Sequence, residues 1–161
     1  MKPISRLFSA RGVLSVAAFF LLFTIYPLSA DAQSWIEAYR NKDYETARTK
    51  LEPLAEEGDG QAQMVLGMIY HKGLGVDKDF GTAASWYRKA ADEGNTAAQS
   101  NLGVMYRRGE GVEKSAEDAF SLFWTAAVLG YPRAEYNLSD MYRKGEGVSK
   151  NLVLAYVWLE F

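Results

Sequence analysis

One eleven-residue segment returns twice at a fixed spacing, and this repetition constrains the fold more than any other feature of the chain. The segment occupies residues 66–76 and returns at 102–112 and 138–148, a step of 36 residues each time. A tyrosine stands near its centre and two glycines near its end in every copy. Fixed periods of about 20–50 residues are typical of solenoids, in which each repeat buries its apolar face against its neighbours. We therefore expect a repeat protein.

The first helix of each repeat is predicted from an apolar stripe. Residues four positions apart, represented by Ala62, Leu66 and Tyr70, give a helix over 61–72 one apolar face. The same stripe predicts a helix over 97–108 and returns in the third copy. A glycine follows each stripe, as is typical of a helix that ends in a left-handed residue.

A second helix is predicted at 80–92 and at 116–129. Ser115 and Asp118 have the spacing of a capping box, with Asp in place of the usual Glu or Gln. The third copy is cut short, and its remnant, residues 151–161, is apolar with a single charge. Solenoids usually end in a unit with a polar outer face. Three interpretations follow: the chain is a truncated fragment, the apolar helix forms a homodimer, or it docks a partner helix.

Helix boundaries and crossings are marked by residues suited to them. Asp59 and Asn95 precede first helices and suit the N-cap position, and Pro132 suits the first helical position because its missing N–H is harmless there. Gly67 and Gly103 lie in the middle of predicted helices, where glycine costs about 1 kcal/mol relative to alanine. A glycine repeated at one register indicates close packing of two helices at that point.

The N-terminus is typical of a secretory signal peptide. Three basic residues are the only charges before Asp31, and an uncharged apolar run follows at 13–26. The small residues Ala30 and Ala32 then form the pattern that precedes a signal-peptidase cleavage site. We predict cleavage after Ala32 and a periplasmic or secreted location. The alternative is an uncleaved membrane anchor, although the run at 12–28 is at the short end of the roughly 17–25 residues that span a bilayer.

Charge and composition exclude several kinds of function. Residues 1–32 hold three of the 18 basic and one of the 20 acidic residues, so the mature chain has 15 and 19, a formal net charge of −4. This charge argues against nucleic-acid binding. The chain has no Cys and one His, so neither a thiol nucleophile nor a Cys-ligated metal is available. With no recognised catalytic motif, we predict no catalytic residue, cofactor or metal.

The repeat pattern also carries a family resemblance. Residues 62–94 read Ala-x-x-x-Leu-Gly-x-x-Tyr-x-x-Gly-x-Gly-Val and later Ala-x-x-Trp-Tyr-x-x-Ala-Ala-x-x-Gly, which resembles the Sel1-like repeat family of tetratricopeptide-related hairpins. Residues 98–130 depart at Leu122 and Phe123. The resemblance implies an all-α, right-handed α-solenoid that serves as a scaffold or adaptor, and it implies no catalytic residue. Some disulfide-stapled members of this family bind or process β-lactam-like ligands, and this chain departs from them in having no Cys.

Five segments are predicted in chain order. Residues 1–32 are a signal peptide, and residues 33–58 are a degenerate tetratricopeptide-like repeat in register with the others. Residues 59–94 and 95–130 are complete Sel1-like repeats, and residues 131–161 are an incomplete one.

The resemblance implies that the first helices line a concave groove. Their last turns carry a row of cations, which we interpret either as a ladder for an acidic peptide or carboxylate or as cations that offset the helix dipole. The main hypothesis is an exported, non-enzymatic adaptor that binds an unidentified protein or peptide. The alternatives are a cell-wall small-ligand binder or weak hydrolase and a membrane-anchored assembly factor. The candidate groove residues are Met68, His71, Lys72, Arg107, Arg108, Tyr136, Arg143 and Lys144.

Overall fold

The computed structural model describes residues 30–159, which form eight helices and no strand. None of these helices has the length and apolar character needed to cross a bilayer. Most of the predicted signal peptide lies outside the described residues, so its cleavage stays a prediction. The helices are α1 (Ala30–Arg40), α2 (Tyr44–Glu56), α3 (Gly60–Lys72), α4 (Phe80–Asp92), α5 (Thr96–Arg108), α6 (Ala116–Val128), α7 (Pro132–Lys144) and α8 (Leu152–Val157).

The helices stack in chain order as an α-solenoid. Each helix packs mainly on the helices just before and after it, and the first helices α3 and α5 also touch. The predicted all-α fold with a 36-residue period is therefore confirmed. Buried residues form three clusters along the stack, held by α2 with α3, by α4 with α5, and by α6 with α7 and α8.

The boundaries predicted for the four helices between residues 60 and 129 are confirmed to within one residue. Asp59 accepts hydrogen bonds from the backbone N–H groups of Gln61 and Ala62, which would otherwise lack partners at the start of α3. Asn95 caps α5 in the same way, and Pro132 is the first residue of α7. The first helices α3, α5 and α7 each end at a glycine with φ of 70°, 72° and 73°.

The predicted capping box at Ser115 is only half formed. The Ser115 hydroxyl accepts a hydrogen bond from the backbone N–H of Asp118 at 3.1 Å, as expected. The N–H of Ser115, however, donates to the carbonyl of Tyr106 at 3.0 Å. The loop after α5 folds back on that helix. The backbone N–H of Ser115, which would donate to the Asp118 carboxylate in a full capping box, is therefore already bound.

The two mid-helix glycines mark helix crossings, as predicted. A Cβ atom at Gly67 would lie 2.6 Å from Cδ1 of Tyr87, and one at Gly103 would lie 2.8 Å from Cε1 of Phe123. Both rings are buried, so neither has room to move aside. In the third repeat the position is Ser139, whose hydroxyl donates to the carbonyl of Ala155 at 2.6 Å.

The tyrosine of the apolar stripe is not buried in every copy. Tyr142 is buried, with its ring 5.5 Å from that of Phe120 in an edge-on contact. Tyr70 and Tyr106 are only half-buried. The hydroxyl of Tyr106 accepts a hydrogen bond from Arg88 at 2.9 Å, so this tyrosine points its polar end toward solvent.

The loop of each repeat seats on the preceding repeat. Gly111 and Gly147, with φ of 68° and 65°, lie directly against the backbone carbonyls of Phe80 and Ala116. A side chain would collide with that backbone and would also resist the positive φ. These contacts fix how one hairpin sits on the next and therefore place the residues that follow the first helices.

Candidate protein-binding face

The predicted basic residues occupy equivalent places in three successive repeats. We call them the basic row. They lie in the last turns of α3, α5 and α7, where cations also offset the negative end of the helix dipole. The basic row consists of His71, Lys72, Arg107, Arg108, Arg143 and Lys144.

Arg107 is held by two carboxylates of the following repeat. Its Nη2 lies 2.6 Å from Oε2 of Glu146 and 2.6 Å from Oδ2 of Asp140, and its Nε donates to both oxygens of Glu146 at 2.9 Å. The Arg107 side chain is only 19% exposed. The hydrogen bonds to Glu146 raise the pKa of Arg107, burial opposes this, and the bond to Asp140 adds to it. Arg107 therefore fastens two repeats together.

Asp140 gathers three cations on one carboxylate. It accepts hydrogen bonds from Arg107, from Lys144 Nζ at 2.7 Å, and from Arg143. Burial by itself raises the pKa of Asp140, but the hydrogen bonds from the three cations lower it well below its usual range. The equivalent positions in the two preceding repeats are Met68 and Val104, so this junction exists only in the third repeat.

His71 makes a similar but weaker bridge between repeats. Its Nε2 lies 3.1 Å from Oε2 of Glu110, and its ring centroid lies 5.3 Å from that of Phe80. Glu110 follows His71 by 39 residues, as Glu146 follows Arg107, which is one repeat plus three positions. An acidic residue in the loop of one repeat therefore pairs with the basic row residue of the repeat before.

The basic row is thus largely neutralised by the protein's own carboxylates. Arg108 stays 64% exposed, with Nη1 3.6 Å from Glu110, and Arg143 and Lys144 are 58% and 48% exposed. Lys72 is also exposed. These outer cations can still offer N–H groups to a carboxylate brought by a partner. Binding of an acidic peptide stays a prediction.

The two apolar candidates differ in their surroundings. Met68 is half-buried between two core clusters, and its sulfur accepts a hydrogen bond from the Tyr39 hydroxyl at 3.9 Å. Tyr136 is 64% exposed on α7. The structure therefore places Met68 mainly in the core and leaves Tyr136 as the aromatic residue available to a partner on this face.

A polar cavity that the sequence did not indicate lies between the second helices α4 and α6. It has a volume of about 670 Å³, and side chains of both charge signs line it, among them Arg88, Lys114 and Asp118. Three separate elements contribute to it, so no local motif could have indicated it. Within residues 30–159, no group of three or more His, Asp or Glu side chains could hold a metal ion.

The apolar C-terminal helix predicted at 151–161 is shorter in the structure, where α8 spans Leu152–Val157. Its side chains are nevertheless exposed, with Leu152 at 61% and Val153 at 73%. Only Ala155 of this helix is buried. Part of the predicted segment, residues 160–161, lies outside the described residues.

The sequence predicted that the residues of the basic row lie in the last turns of the first helices, as they do, but it did not indicate their carboxylate partners. The candidate groove residues predicted from the sequence do not include Asp140, Glu110 or Glu146, which pair with His71 and Arg107 in the structure. The repeated spacing of 39 residues between a basic row residue and a loop glutamate is the signal that could have revealed the bridges. This spacing predicts a contact only if the loop of one repeat is already known to pack on the repeat before it.

Comparisons with known proteins agree with this architecture. A family model described as Sel1 repeat matches residues 60–95, 96–131 and 132–161. The crystal structure of a Sel1 repeat protein from Oxalobacter formigenes is 37% identical, with a TM-score of 0.74, and the match covers 79% of this chain and 52% of that one. A protective antigen present in uropathogenic Escherichia coli strains, which displays an SLR fold, is 38% identical, with a TM-score of 0.69.

That second match covers 70% of this chain and 24% of the antigen. The chain therefore spans about half of one solved relative and about a quarter of the other. A comparison with curated proteins found no match.

Proposed function

The chain belongs to the Sel1 repeat family, and from this premise we propose that it is a non-enzymatic scaffold that binds a protein partner on its first-helix face. Sel1 repeat proteins generally mediate protein–protein interaction, and a stack of hairpins offers an extended surface to a partner. The observation that carries the proposal is a set of exposed side chains on two adjacent first helices. Tyr136 and Arg143 on α7 and Arg108 on α5 are each more than half exposed.

These three residue types suit a binding face. Tyrosine and arginine are enriched among the residues that contribute most to protein–protein binding. The ion pairs of Arg107 and Asp140 hold the two helices in a fixed relation, so little order has to be gained on binding. Because the exposed charges of the basic row are positive, the partner that fits this face is a protein segment with carboxylates.

We place this scaffold outside the cytoplasm. Support comes from the basic, apolar and small-residue segments at residues 1–32, which are typical of a secretory signal peptide. The similar Escherichia coli protein is a protective antigen, which agrees with exposure at the cell envelope. A partner of this chain would then be a periplasmic, surface or secreted protein.

Site-specific crosslinking in the cell envelope tests the proposed face. A photoreactive amino acid is placed at Tyr136 in one variant and at Ser85, an exposed residue of the second helix α4, in the matched control. We expect one defined protein adduct from position 136 and none from position 85. Adding Arg108→Ala and Arg143→Ala to the position 136 variant should weaken that adduct while leaving the circular dichroism spectrum unchanged.

Two results would contradict the proposal. Equal adducts from both positions would place the partner elsewhere on the molecule. Turnover of cell-wall fragments by the purified chain, without any protein adduct, would favour the small-ligand binder or weak hydrolase instead.

A further inference from the structure

The groove between the last two second helices, α6 and α8, differs in chemistry from the equivalent groove between α4 and α6. Six positions that are polar and exposed one repeat earlier are occupied by large apolar residues. In the earlier repeats these positions are Arg88, Asp92, Glu93, Glu117, Asp118 and Ser121. Their counterparts 36 residues later, which we call the outer apolar face, are Trp124, Val128, Leu129, Val153, Leu154 and Val157.

The outer apolar face is separate from the edge on which a further hairpin would stack. Leu152, Tyr156 and Leu159 belong to that edge, because their counterparts in earlier repeats are buried or half-buried beneath the next repeat. The six counterparts of the outer apolar face stay exposed even where a following repeat is present. Stacking of another hairpin therefore leaves this surface open to solvent.

One repeat earlier a single groove is lined by Arg88, Asp92, Asp118 and Ser121, so the repeat brings their counterparts on α6 and α8 together in the same way. The rings of Trp124 and Trp158 make an edge-on contact with centroids 5.5 Å apart. Val128 and Trp158 line a cavity of about 320 Å³ together with Ala127, Gly130 and one charged residue at its margin, Glu135. Trp158 therefore joins the two helices, and the patch is a shallow apolar groove.

The exposed area is large for a single unit of this size. The six side chains are 37–73% exposed. With residue areas of roughly 150–250 Å², these fractions amount to roughly 600 Å², the upper end for the largest apolar patch on a typical monomer. Two such patches pressed together would bury at most roughly 1,200 Å², which reaches the lower limit for a stable protein–protein interface.

We propose that the outer apolar face is the contact surface of a symmetric dimer, and that its occupant is the same face of a second copy of this chain. A two-fold contact brings each patch against itself, so it requires a surface that does not repel its own copy. The outer apolar face carries no charge. The equivalent groove one repeat earlier is lined by Arg88, Asp92 and Asp118, whose charges would have to be desolvated or paired in such a contact, so a purely apolar pairing cannot form there.

The dimer expected from this area is a modest one, which dissociates on dilution. It leaves the first-helix face free, so a dimer would present two partner-binding faces. The inference rests on α6 and α8 and does not depend on the proposed function of the basic row.

The test compares the mass in solution of the unaltered full chain with that of a variant in which apolar residues of the outer apolar face are replaced by their polar counterparts from the preceding repeat. Val128→Asp, Leu154→Asp and Val157→Ser give three positions the residues of their counterparts Asp92, Asp118 and Ser121. We expect sedimentation equilibrium of the unaltered chain to show a monomer–dimer equilibrium. The triple variant should raise the dissociation constant by at least about tenfold. Tyr136→Ser, which removes an exposed aromatic residue from another face, should leave the constant unchanged.

Several outcomes would overturn the proposal. The unaltered chain could remain monomeric at about 100 μM, a concentration at which a dimer with a micromolar dissociation constant would be the main species. The triple variant could dimerise as strongly as the unaltered chain, or Tyr156→Ala on the stacking edge could abolish the dimer while the triple variant does not. A ladder of higher oligomers would indicate open head-to-tail contacts. A monomer that binds lipid vesicles would identify a membrane-contact surface.

If circular dichroism shows that the triple variant has lost helix, Val153→Glu decides the matter. Val153 is 73% exposed, so this change should leave the fold intact, and its counterpart is Glu117. We expect Val153→Glu to weaken the dimer, and an unchanged dissociation constant would overturn the proposal.

Discussion

Arg107 binds Glu146 across the boundary between two repeats, with Nη2 2.6 Å from Oε2. The two residues are 39 positions apart, so the bridge joins the end of α5 to the loop that follows α7. That loop is also fixed by Gly147, which lies against the carbonyl of Ala116. Charge pairing and backbone contact therefore act at the same joint, and the joint sets the relation between neighbouring first helices.

Replacing Glu146 should loosen this joint. Glu146→Gln keeps the shape of the side chain but removes the charge that faces Arg107, and hydrogen bonds to charged groups contribute about 1.5–3 kcal/mol. Because the Glu146 side chain is 28% exposed, we expect the free energy of unfolding to fall by about 1–2 kcal/mol. Urea denaturation measures it. Glu113→Gln, at an exposed loop position, is the control, and an equal effect of both changes would contradict a specific role for the bridge.

The same carboxylates predict sensitivity to acid. The pKa of Glu146 is lowered mainly by its hydrogen bond from Arg107, and the pKa of Asp140 is lowered by its three cations against the opposing effect of burial. In the unfolded chain these groups titrate near about 3.9 for Asp and 4.3 for Glu. Their contribution to stability is therefore complete above those values and is lost as the pH falls through the lower pKa of the folded state.

Denaturation at several pH values checks this sign. We expect the free energy of unfolding to decline below about pH 4, and Asp140→Asn should make the decline shallower while lowering stability at neutral pH. Asp92→Asn, on the exposed surface of α4, is the control. If Asp140→Asn leaves the acid slope unchanged, the junction around Asp140 does not form in solution.

Because α5 and α6 cross closely at Gly103, even a methyl group at this position should lower the stability of the fold. Gly103→Ala would place a Cβ 2.8 Å from the buried ring of Phe123, and overpacking of this kind typically costs about 1–3 kcal/mol. Gly81→Ala is the matched control, because its Cβ would meet only Asp79 Oδ1 at an ordinary 3.4 Å. We expect Gly103→Ala to lower the melting temperature and Gly81→Ala to leave it unchanged or raise it. The opposite order would mean that the two helices do not cross so closely.

The sequence predicted the contacts between residues close together in the chain and missed the contacts between residues of different repeats. The caps at Asp59 and Asn95 act within three residues, so local spacing was enough to predict them. The close crossing at Gly103 was predicted because a glycine that destabilises the middle of a helix occurs at the same register in two repeats, at Gly67 and Gly103. The bridge from Arg107 to Glu146 depends on how one hairpin rotates on the next, and no pattern within one repeat contains that angle.

Burial of the stripe tyrosine shows the same limit. Tyr106 and Tyr142 occupy one register, but the neighbour of the first is Arg88 and the neighbour of the second is Phe120. The repeat therefore predicts where a residue lies, while the residues in the adjacent repeat decide how deeply it is buried.

The predicted signal peptide is tested by the mass of the mature chain. We expect the protein recovered from the cell envelope to begin at Gln33, because the small residues Ala30 and Ala32 precede that bond. Intact-mass spectrometry measures the N-terminus directly. Ala30→Leu together with Ala32→Leu should block processing and leave the full-length chain. Recovery of the unaltered protein with residues 1–32 still attached would instead indicate a membrane anchor.

The third repeat lacks one hydrogen bond that the first two repeats share. Gln63 and Gln99 donate from Nε2 to the carbonyls of Ala55 and Ala91 at 3.0 and 3.2 Å. The residue at this register in the third repeat is Glu135, and an ionised carboxylate has no hydrogen to donate to a carbonyl.

Glu135→Gln should therefore stabilise the protein. The new amide can donate to the carbonyl of Ala127, the counterpart of Ala55 and Ala91, and such a bond contributes about 0.5–1.5 kcal/mol. Losing a negative charge from the first turn of α7 costs about 0.3–1 kcal/mol, so we expect a small net gain of up to about 1 kcal/mol. Urea denaturation compares it with Glu117→Gln, which removes the same charge from the first turn of α6 without gaining that bond. If both changes destabilise equally, Gln at this register contributes nothing to the joint between repeats.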